Sequence, residues 1–458
     1  MTTPRVIVAG GGIAGLTLAF TLEAEAARLG VAADVLVIEA GHDAGGHART
    51  VGDEGWLVET GPNGFLDREP ETMGLVEELG LTHDLVEANP AARRRFVLRR
   101  GALCPVPASP PAVLTSRAIS WRGKLRLLGE PWAAPPPPHA DETVFAFAER
   151  RLGREVAEAL VDTAVSGISA GDSTALSVRS QFPILVEWER EHGSLFRAML
   201  ARRKTATGRA RLTSFHGGQG TLTRALADRL GSRMMTGRAI TRVARHSGAW
   251  QVHMAGGPPM VADHVVFTTP AHRTSAAVRD LDRELADALA SIPYSGLAVV
   301  ALGYAVASLP RPLNGYGYLV ARAERLATMG VLWESSIFPG RAPDGAALLR
   351  VFLGGARRPD VAGLDEEALT TLARSELVKV MGIADRPIRQ HVFRWPSAIA
   401  QYTVGHDERV RAIRARLAEH PGLDLCGTAC DGVSFNQAIA AARRTARTLA
   451  ARLAPSSS

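Results

Sequence analysis

Cysteine is nearly absent. Cys104, Cys426 and Cys430 are the only three in 458 residues. That excludes a disulfide scaffold and makes a reducing, cytoplasmic compartment the expectation. No histidine or second cysteine pair stands near Cys426 and Cys430, so no metal site is expected. Lysine is equally scarce. Only Lys124, Lys204 and Lys379 occur among 53 basic residues, leaving 50 arginines. The net charge is +7, yet aromatics reach only 5% and no nucleic-acid motif accompanies the charge. A nucleic-acid partner is therefore not expected. No run of about 18 apolar residues is present, so no spanning helix is expected. The apolar stretch from Val6 to Phe20 is broken by Gly10, Gly11, Gly12 and Gly15, a pattern foreign to a signal-peptide core.

What is present is an ordinary globular composition, 46% hydrophobic and 22% charged, at a length that suits two or three domains. The chain opens on a βαβ pattern. Arg5 to Ala9 reads as a buried strand, about Gly12 to Leu29 as a helix ending at Gly30, and Asp34 to Glu39 as a second strand. Between the first strand and the helix, Gly10, Gly12 and Gly15 spell G-x-G-x-x-G. The first glycine permits the tight turn, the second admits a pyrophosphate, and the third lets helix and sheet pack closely. Glu39 ends the second strand, where an acid hydrogen-bonds a ribose hydroxyl. Dinucleotide binding is the expectation.

The fold class expected is α/β, a Rossmann-type dinucleotide-binding domain with a β-rich substrate domain and a helical insertion. The dinucleotide domain is discontinuous, at 1–90, 211–290 and 406–454. The last piece carries a strand, Gly427 and a helix to Leu453. Residues 91–210 read as a helical basic insertion and 291–405 as the substrate domain. Within the insertion, 91–130 holds nine basic residues against Glu130 alone. Arg197, Arg202, Arg203, Lys204, Arg209 and Arg211 follow with no acid between them. A solvated basic face and contact with an anionic membrane surface both stand as readings. Thr143 to Leu152 and Glu155 to Val165 are expected helices. Pro135 to Pro138 is expected to form a stiff turn, and Pro455 to Ser458 a frayed tail.

Gly45-Gly46 and Thr50 follow Glu39 in the E-x(5)-G-G-x(3)-T pattern of the FAD enzymes related to monoamine oxidase. His47 stands where many relatives carry an arginine, with Arg49 two residues on. Further segments follow in order: Gly61-Pro-Asn-Gly-Phe-Leu66, Arg95-Phe96, Ser166-Gly-Ile-Ser-Ala-Gly-Asp172, Phe215-His-Gly-Gly218 with Leu222, and Thr268-Thr-Pro-Ala271. Phe338-Pro339, Gly354-Gly355, Gln401-Tyr402 with Gly405-His406, and Gly427 through Gly432-Val433 to Asn436 complete the series. Collinear over about the whole chain, these resemble the oxygen-dependent protoporphyrinogen oxidases.

The resemblance implies FAD and a tetrapyrrole substrate, protoporphyrinogen IX or coproporphyrinogen III, oxidised in haem biosynthesis with molecular oxygen as acceptor. It implies that Arg95 grips a propionate, that Leu319, Leu332 and Phe352 sandwich the macrocycle, and that Gly167 offers a backbone carbonyl to a pyrrole N–H. It places Gly10, Gly12, Gly15, Glu39, Gly45, Gly46, Ile240 and Val433 at the cofactor, with the helix after Val433 under the isoalloxazine. Peripheral attachment at the inner face of the cell membrane and a homodimer are further expectations. Ser169 replaces an aromatic, Ala400 a proline, and Cys430-Asp431 other residues of that family. A flavin amine oxidase and an inactive porphyrin-binding flavoprotein are the rival readings.

Overall fold

A computed structural model describes residues 3–107, 110–136, 141–205 and 210–454. Several expectations lie outside them: Pro137-Pro138, the tail from Pro455 to Ser458, and the side chains of Arg203, Lys204 and Arg209.

Val6, Ile7 and Val8 are apolar in succession because both faces of their strand are covered. Arg5–Ala9 pairs in parallel with Asp34–Ile38 on one side and His264–Phe267 on the other. Met234–Met235 and Leu423–Leu425 complete a five-stranded parallel sheet. Strands from three distant stretches thus share one sheet. The helices Ile13–Arg28 and Phe435–Leu453 pack against each other over it. Small buried residues, Ala19 on one and Ala438, Ala442 and Ala446 on the other, let the backbones approach.

The second sheet has seven strands, in the order Arg389–Ala400, Tyr294–Ala305, Ala346–Gly354, Thr328–Trp333, Gly317–Val320, Arg95–Arg99 and Ala102–Pro105. Here the sequence reading is corrected. Residues 95–105 were expected in the helical insertion, but they form two strands at the edge of this sheet. The apolar run Phe96-Val-Leu98 is only three residues long and is bracketed by arginines. Helices occupy the described residues from Pro110 onwards in that region.

One face of the large sheet, carrying Val300, Val331, Leu349, Val351 and Leu353, packs under the helix Glu366–Met381. The period of two sends Val299, Leu319, Leu332 and Phe352 to the other face. The expected helix from Glu155 to Val165 is present, widened in its middle. A wide π-type turn at Ala157–Val161 precedes the helix Asp162–Ser169, which crosses that second face.

Candidate active site

The glycine loop is a cradle with one open side. Gly10 has φ +108°, and Gly15 lies so close to the Gly10 carbonyl that a Cβ there would overlap it. Gly12 differs. Its backbone is extended, at φ −75° and ψ 178°, and a Cβ would meet nothing within 4 Å. The glycine is therefore not required by the protein's own packing, and the space beside it fits a pyrophosphate at the start of the helix Ile13–Arg28. The Glu39 carboxylate accepts from Gly11 N at 2.6 Å and Gly41 N at 2.7 Å. Each oxygen keeps lone-pair capacity for a ribose hydroxyl.

Gly45 N donates to Gly11 O at 2.8 Å and Gly45 pairs with Gly12, so the second glycine motif lies directly on the first. Burial, and secondarily Arg49, lowers the His47 pKa. His47 is thus a neutral ring. Arg49, whose stem lies along Gly45, is the positive group beside this loop. Val433 follows Gly432, whose N–H donates to Tyr402 Oη at 2.8 Å. Tyr402 in turn donates to Thr428 O, and Ser434 caps the helix Phe435–Leu453 through a reciprocal bond with Gln437. Ile240 opens the strand Ile240–His246 and packs against the core cluster that holds Ile38 and Phe267. These residues fit FAD.

The tetrapyrrole candidates meet on the second face of the large sheet. Leu319 is paired with Gly330, and Gly330 with Phe352, in one row across three strands. The next row carries Arg95, Gly317, Leu332 and Arg350. In their strands Leu319, Leu332 and Phe352 are half-buried while their neighbours are buried. Leu319 lies against Gly167, where any Cβ would overlap its methyls. Gly167 sits in the last turn of its helix and is exposed. Its carbonyl has no intrahelical partner, the ordinary fate of C-terminal carbonyls. It is free to accept from a ligand N–H. Arg95 stands at the sheet edge with its guanidinium 5.0 Å over the Tyr316 ring. It has no carboxylate partner among the described residues.

Residues that sequence reasoning missed join the two regions. Glu59, Arg341, Glu334 and Arg350 are all buried. Arg350 donates to Glu334 at 2.6 Å and to the carbonyls of Glu59 and Gly61 at 2.8 Å each. Glu59 accepts from Thr50 Oγ1 at 2.7 Å and Gln219 N at 2.9 Å. Burial pushes its pKa up to about 7 against the pull of Arg341. Trp395 Nε1 donates to Thr60 O at 2.9 Å, and its ring meets His47 edge-on at 4.4 Å. Asn63 is buried, accepts from Tyr316 Oη at 3.4 Å, and leaves Nδ2 without a partner. The Gly61-Pro-Asn turn signalled Asn63. Nothing distinguished Arg341 and Arg350 among 50 arginines.

The departures also find places. Ser169 is buried, returning its hydroxyl to Val165 O at 2.9 Å. Its carbonyl accepts from Gln401 Nε2 at 2.9 Å. Asp431 closes the C-terminal turn, accepting from Gly427 N at 3.0 Å and pairing with Arg414 at 2.9 Å. Burial pushes the Cys430 thiol up to about 12, so it is no thiolate.

Residues 13–450 match the family described as flavin containing amine oxidoreductase. The chain is 29% identical to coproporphyrinogen III oxidase of Bacillus subtilis (strain 168), with 95% of each chain covered. It is 32% identical to chloroplastic protoporphyrinogen oxidase of Oryza sativa subsp. japonica, covering 96% of this chain and 87% of that one. A crystal structure from Exiguobacterium sp. 255-15, carrying the protoporphyrinogen oxidase name, superposes with a TM-score of 0.86 at 25% identity. It covers 99% of this chain and 100% of its own. The chain belongs to the flavin-containing amine oxidoreductase family, among the FAD-dependent oxidoreductases that include the porphyrinogen oxidases.

Proposed function

We propose that this chain oxidises a porphyrinogen to the porphyrin in haem biosynthesis, with molecular oxygen as final acceptor and hydrogen peroxide as by-product. The observation that carries the reading is the face just described. Three half-buried apolar side chains, a free carbonyl and an unpaired arginine converge on one sheet surface beside a dinucleotide cradle. When bound, FAD supplies hydride abstraction from a methylene bridge and reoxidation by oxygen. Leu319, Leu332 and Phe352 hold the macrocycle and exclude water. The Gly167 carbonyl orients a pyrrole N–H, the proton that must leave as the bridge is oxidised. Arg95 fixes the register by gripping a propionate through paired N–H donors. The buried Glu59–Arg350 group holds the Thr50–Gly61 segment against the sheet that carries Phe352.

The test is porphyrin fluorescence from aerobic, flavin-loaded protein given protoporphyrinogen IX and coproporphyrinogen III separately. Enzyme-dependent fluorescence with either supports the reading. None above the no-enzyme control with either substrate refutes it.

The membrane-surface reading has its own support. On the helix Trp121–Leu128, Trp121, Leu125 and Leu128 are 65%, 59% and 59% exposed, and Trp132 beyond it is 80% exposed. Their spacing of four and three residues puts the first three on one stripe, set among Arg117, Arg122 and Lys124. Tryptophan and basic residues on such a stripe suit an anionic lipid interface. No helix of the described residues is long and apolar enough to cross a membrane. Co-sedimentation with phosphatidylglycerol vesicles, lost in Trp121→Ser/Trp132→Ser, is the expected result. Equal recovery of both proteins with the vesicles would sink it.

A further inference from the structure

Beyond the row that holds Leu319 and Phe352, the same sheet end opens into a cavity of about 480 Å³. Ala170, Met329 and Gly355 form its inner wall, and its charged lining is Asp172, Arg322, Arg325, Arg357 and Arg358. Its position is fixed by the two elements that build the slot. Ser166 and Ala170 on its wall flank Gly167 in sequence, and Val320 and Ala321 follow Leu319. The Met329 side chain turns to this face because the strand bulges between Thr328 and Gly330. It packs there in the apolar cluster with Ala170, Val299 and Phe352. Slot and cavity therefore share an apolar floor.

The cavity lies at the end of the slot away from Arg95. Arg95 pairs with Gly317, and the cavity begins at Val320, roughly 10 Å along the strand. Its charge is only partly cancelled. Arg322 pairs with Asp162 at 3.2 Å and Asp172 at 2.5 Å, and Arg357 also pairs with Asp162. Arg325 has no hydrogen-bond or ion-pair partner for its guanidinium among the described residues. Arg358 pairs with Asp360 at 3.0 Å, so four arginines face three carboxylates and the Arg325 cation is left over. Its backbone, at φ +55°, is a strained conformation for a non-glycine residue.

We infer that this cavity is a second carboxylate-recognition site, which receives the propionates on the edge of the macrocycle opposite to those held at Arg95. The inference rests on the slot taking a porphyrinogen and names which one. Coproporphyrinogen III carries propionates on all four rings. Protoporphyrinogen IX has vinyl groups in place of two of them. A cation at each end of the slot matches the four-carboxylate substrate, whereas vinyl groups would leave Arg325 without a partner. Coproporphyrinogen III is accordingly the preferred substrate.

The experiment uses the flavin-loaded full chain. Coproporphyrin III and protoporphyrin IX are titrated by fluorescence into wild type, Arg325→Asn and Arg325→Lys, and KM is measured for both porphyrinogens. Asparagine tolerates the positive φ, so the backbone is preserved. Arg325→Asn should weaken coproporphyrin binding and raise its porphyrinogen KM about tenfold, the order of one partly exposed charge-assisted contact. Protoporphyrin should change less than twofold, and Arg325→Lys should recover part of the loss. Equal weakening of both porphyrins, or no weakening of either, overturns the inference. A free anion is the other source of a carboxylate. A succinate-dependent rate change that Arg325→Asn abolishes, with porphyrin discrimination unchanged, overturns it as well. Wild type that binds neither porphyrin fails at the slot itself, and that failure is distinguishable because it precedes any variant.

Discussion

Gly12→Val isolates the cofactor from the fold. Most glycines of a tight loop cannot be replaced without breaking the loop, and then lost flavin says nothing about where the flavin sat. Gly12 escapes this difficulty. Its φ of −75° and ψ of 178° are open to any L residue, and a Cβ there meets no protein atom within 4 Å. The protein without FAD should keep its stability to within about 0.5 kcal/mol, as surface replacements do. The added methyls should instead occupy the volume assigned to the pyrophosphate. Overpacking of that kind costs about 1–3 kcal/mol, roughly five- to more than a hundredfold in Kd. Gly15→Val is the contrast, because its Cβ would overlap Gly10 O and approach Thr268 Oγ1 to 2.6 Å. It should unfold the loop and lower the melting temperature with or without FAD. The assay is the flavin-to-protein absorbance ratio after purification, a reconstitution titration with FAD, and thermal unfolding of both stripped variants. Gly12→Val that folds and keeps its full flavin content would refute the placement. So would Gly12→Val whose stripped form melts as early as that of Gly15→Val.

Three further outcomes are expected. Arg95→Ala should raise the porphyrinogen KM about tenfold, the value of a charge-assisted contact, while leaving the flavin spectrum unchanged; loss of flavin would refute the role. Glu59, at about 7, lies above its ordinary value, so its folded form favours the proton and its contribution to stability is lost as pH rises from 4.5 through 7. Glu59→Gln should therefore gain on wild type across that interval by up to about 3 kcal/mol in denaturant unfolding, and a pH-independent difference would contradict the assignment. His406, buried and stacked on Tyr402 at 3.8 Å, is held down to about 4, so the stability it confers when neutral is lost as pH falls from 6.5 towards 4. Because Tyr402 holds the turn before Val433, wild type should shed FAD in that window and His406→Phe should not; identical acid profiles of flavin release would refute the link.

The dinucleotide half of the fold was legible because its signals are local. Strand, glycine turn, helix and acid lie within 39 residues, and each is fixed by backbone geometry that few residue types satisfy. The return of the chain at Gly427 was legible for the same reason. The edge strands at 95–105 were not. They are held by pairing with Gly317–Val320, more than 200 residues away, and their own pattern is crowded by arginine. Where tertiary pairing supplies the stability, local sequence carries little of the signal.

The candidate site divides along the same line. Arg95, Leu319, Leu332, Phe352 and Gly167 came from resemblance, since each alone is an unremarkable residue. The structure brings them together: register places four of them in two adjacent rows, and the helix Asp162–Ser169 ends over those rows. The joining residues had no such motif. Burying Glu59, Arg341, Glu334 and Arg350 together costs desolvation that only mutual pairing and backbone carbonyls offset. A sequence cannot show that balance, because an arginine beside a buried glutamate and an arginine in water are written with the same letter. The balance also explains the tie's specificity. Arg350 satisfies the carbonyls of Glu59 and Gly61 only when the Thr50–Gly61 segment sits at one register on the large sheet. A slipped arrangement would leave a buried charge unpaired, at a cost of several kcal/mol. The ion cluster thus sets where the Thr50–Gly61 segment, which follows the Gly45-Gly46 turn, stands relative to the sheet face that carries Leu319, Leu332 and Phe352.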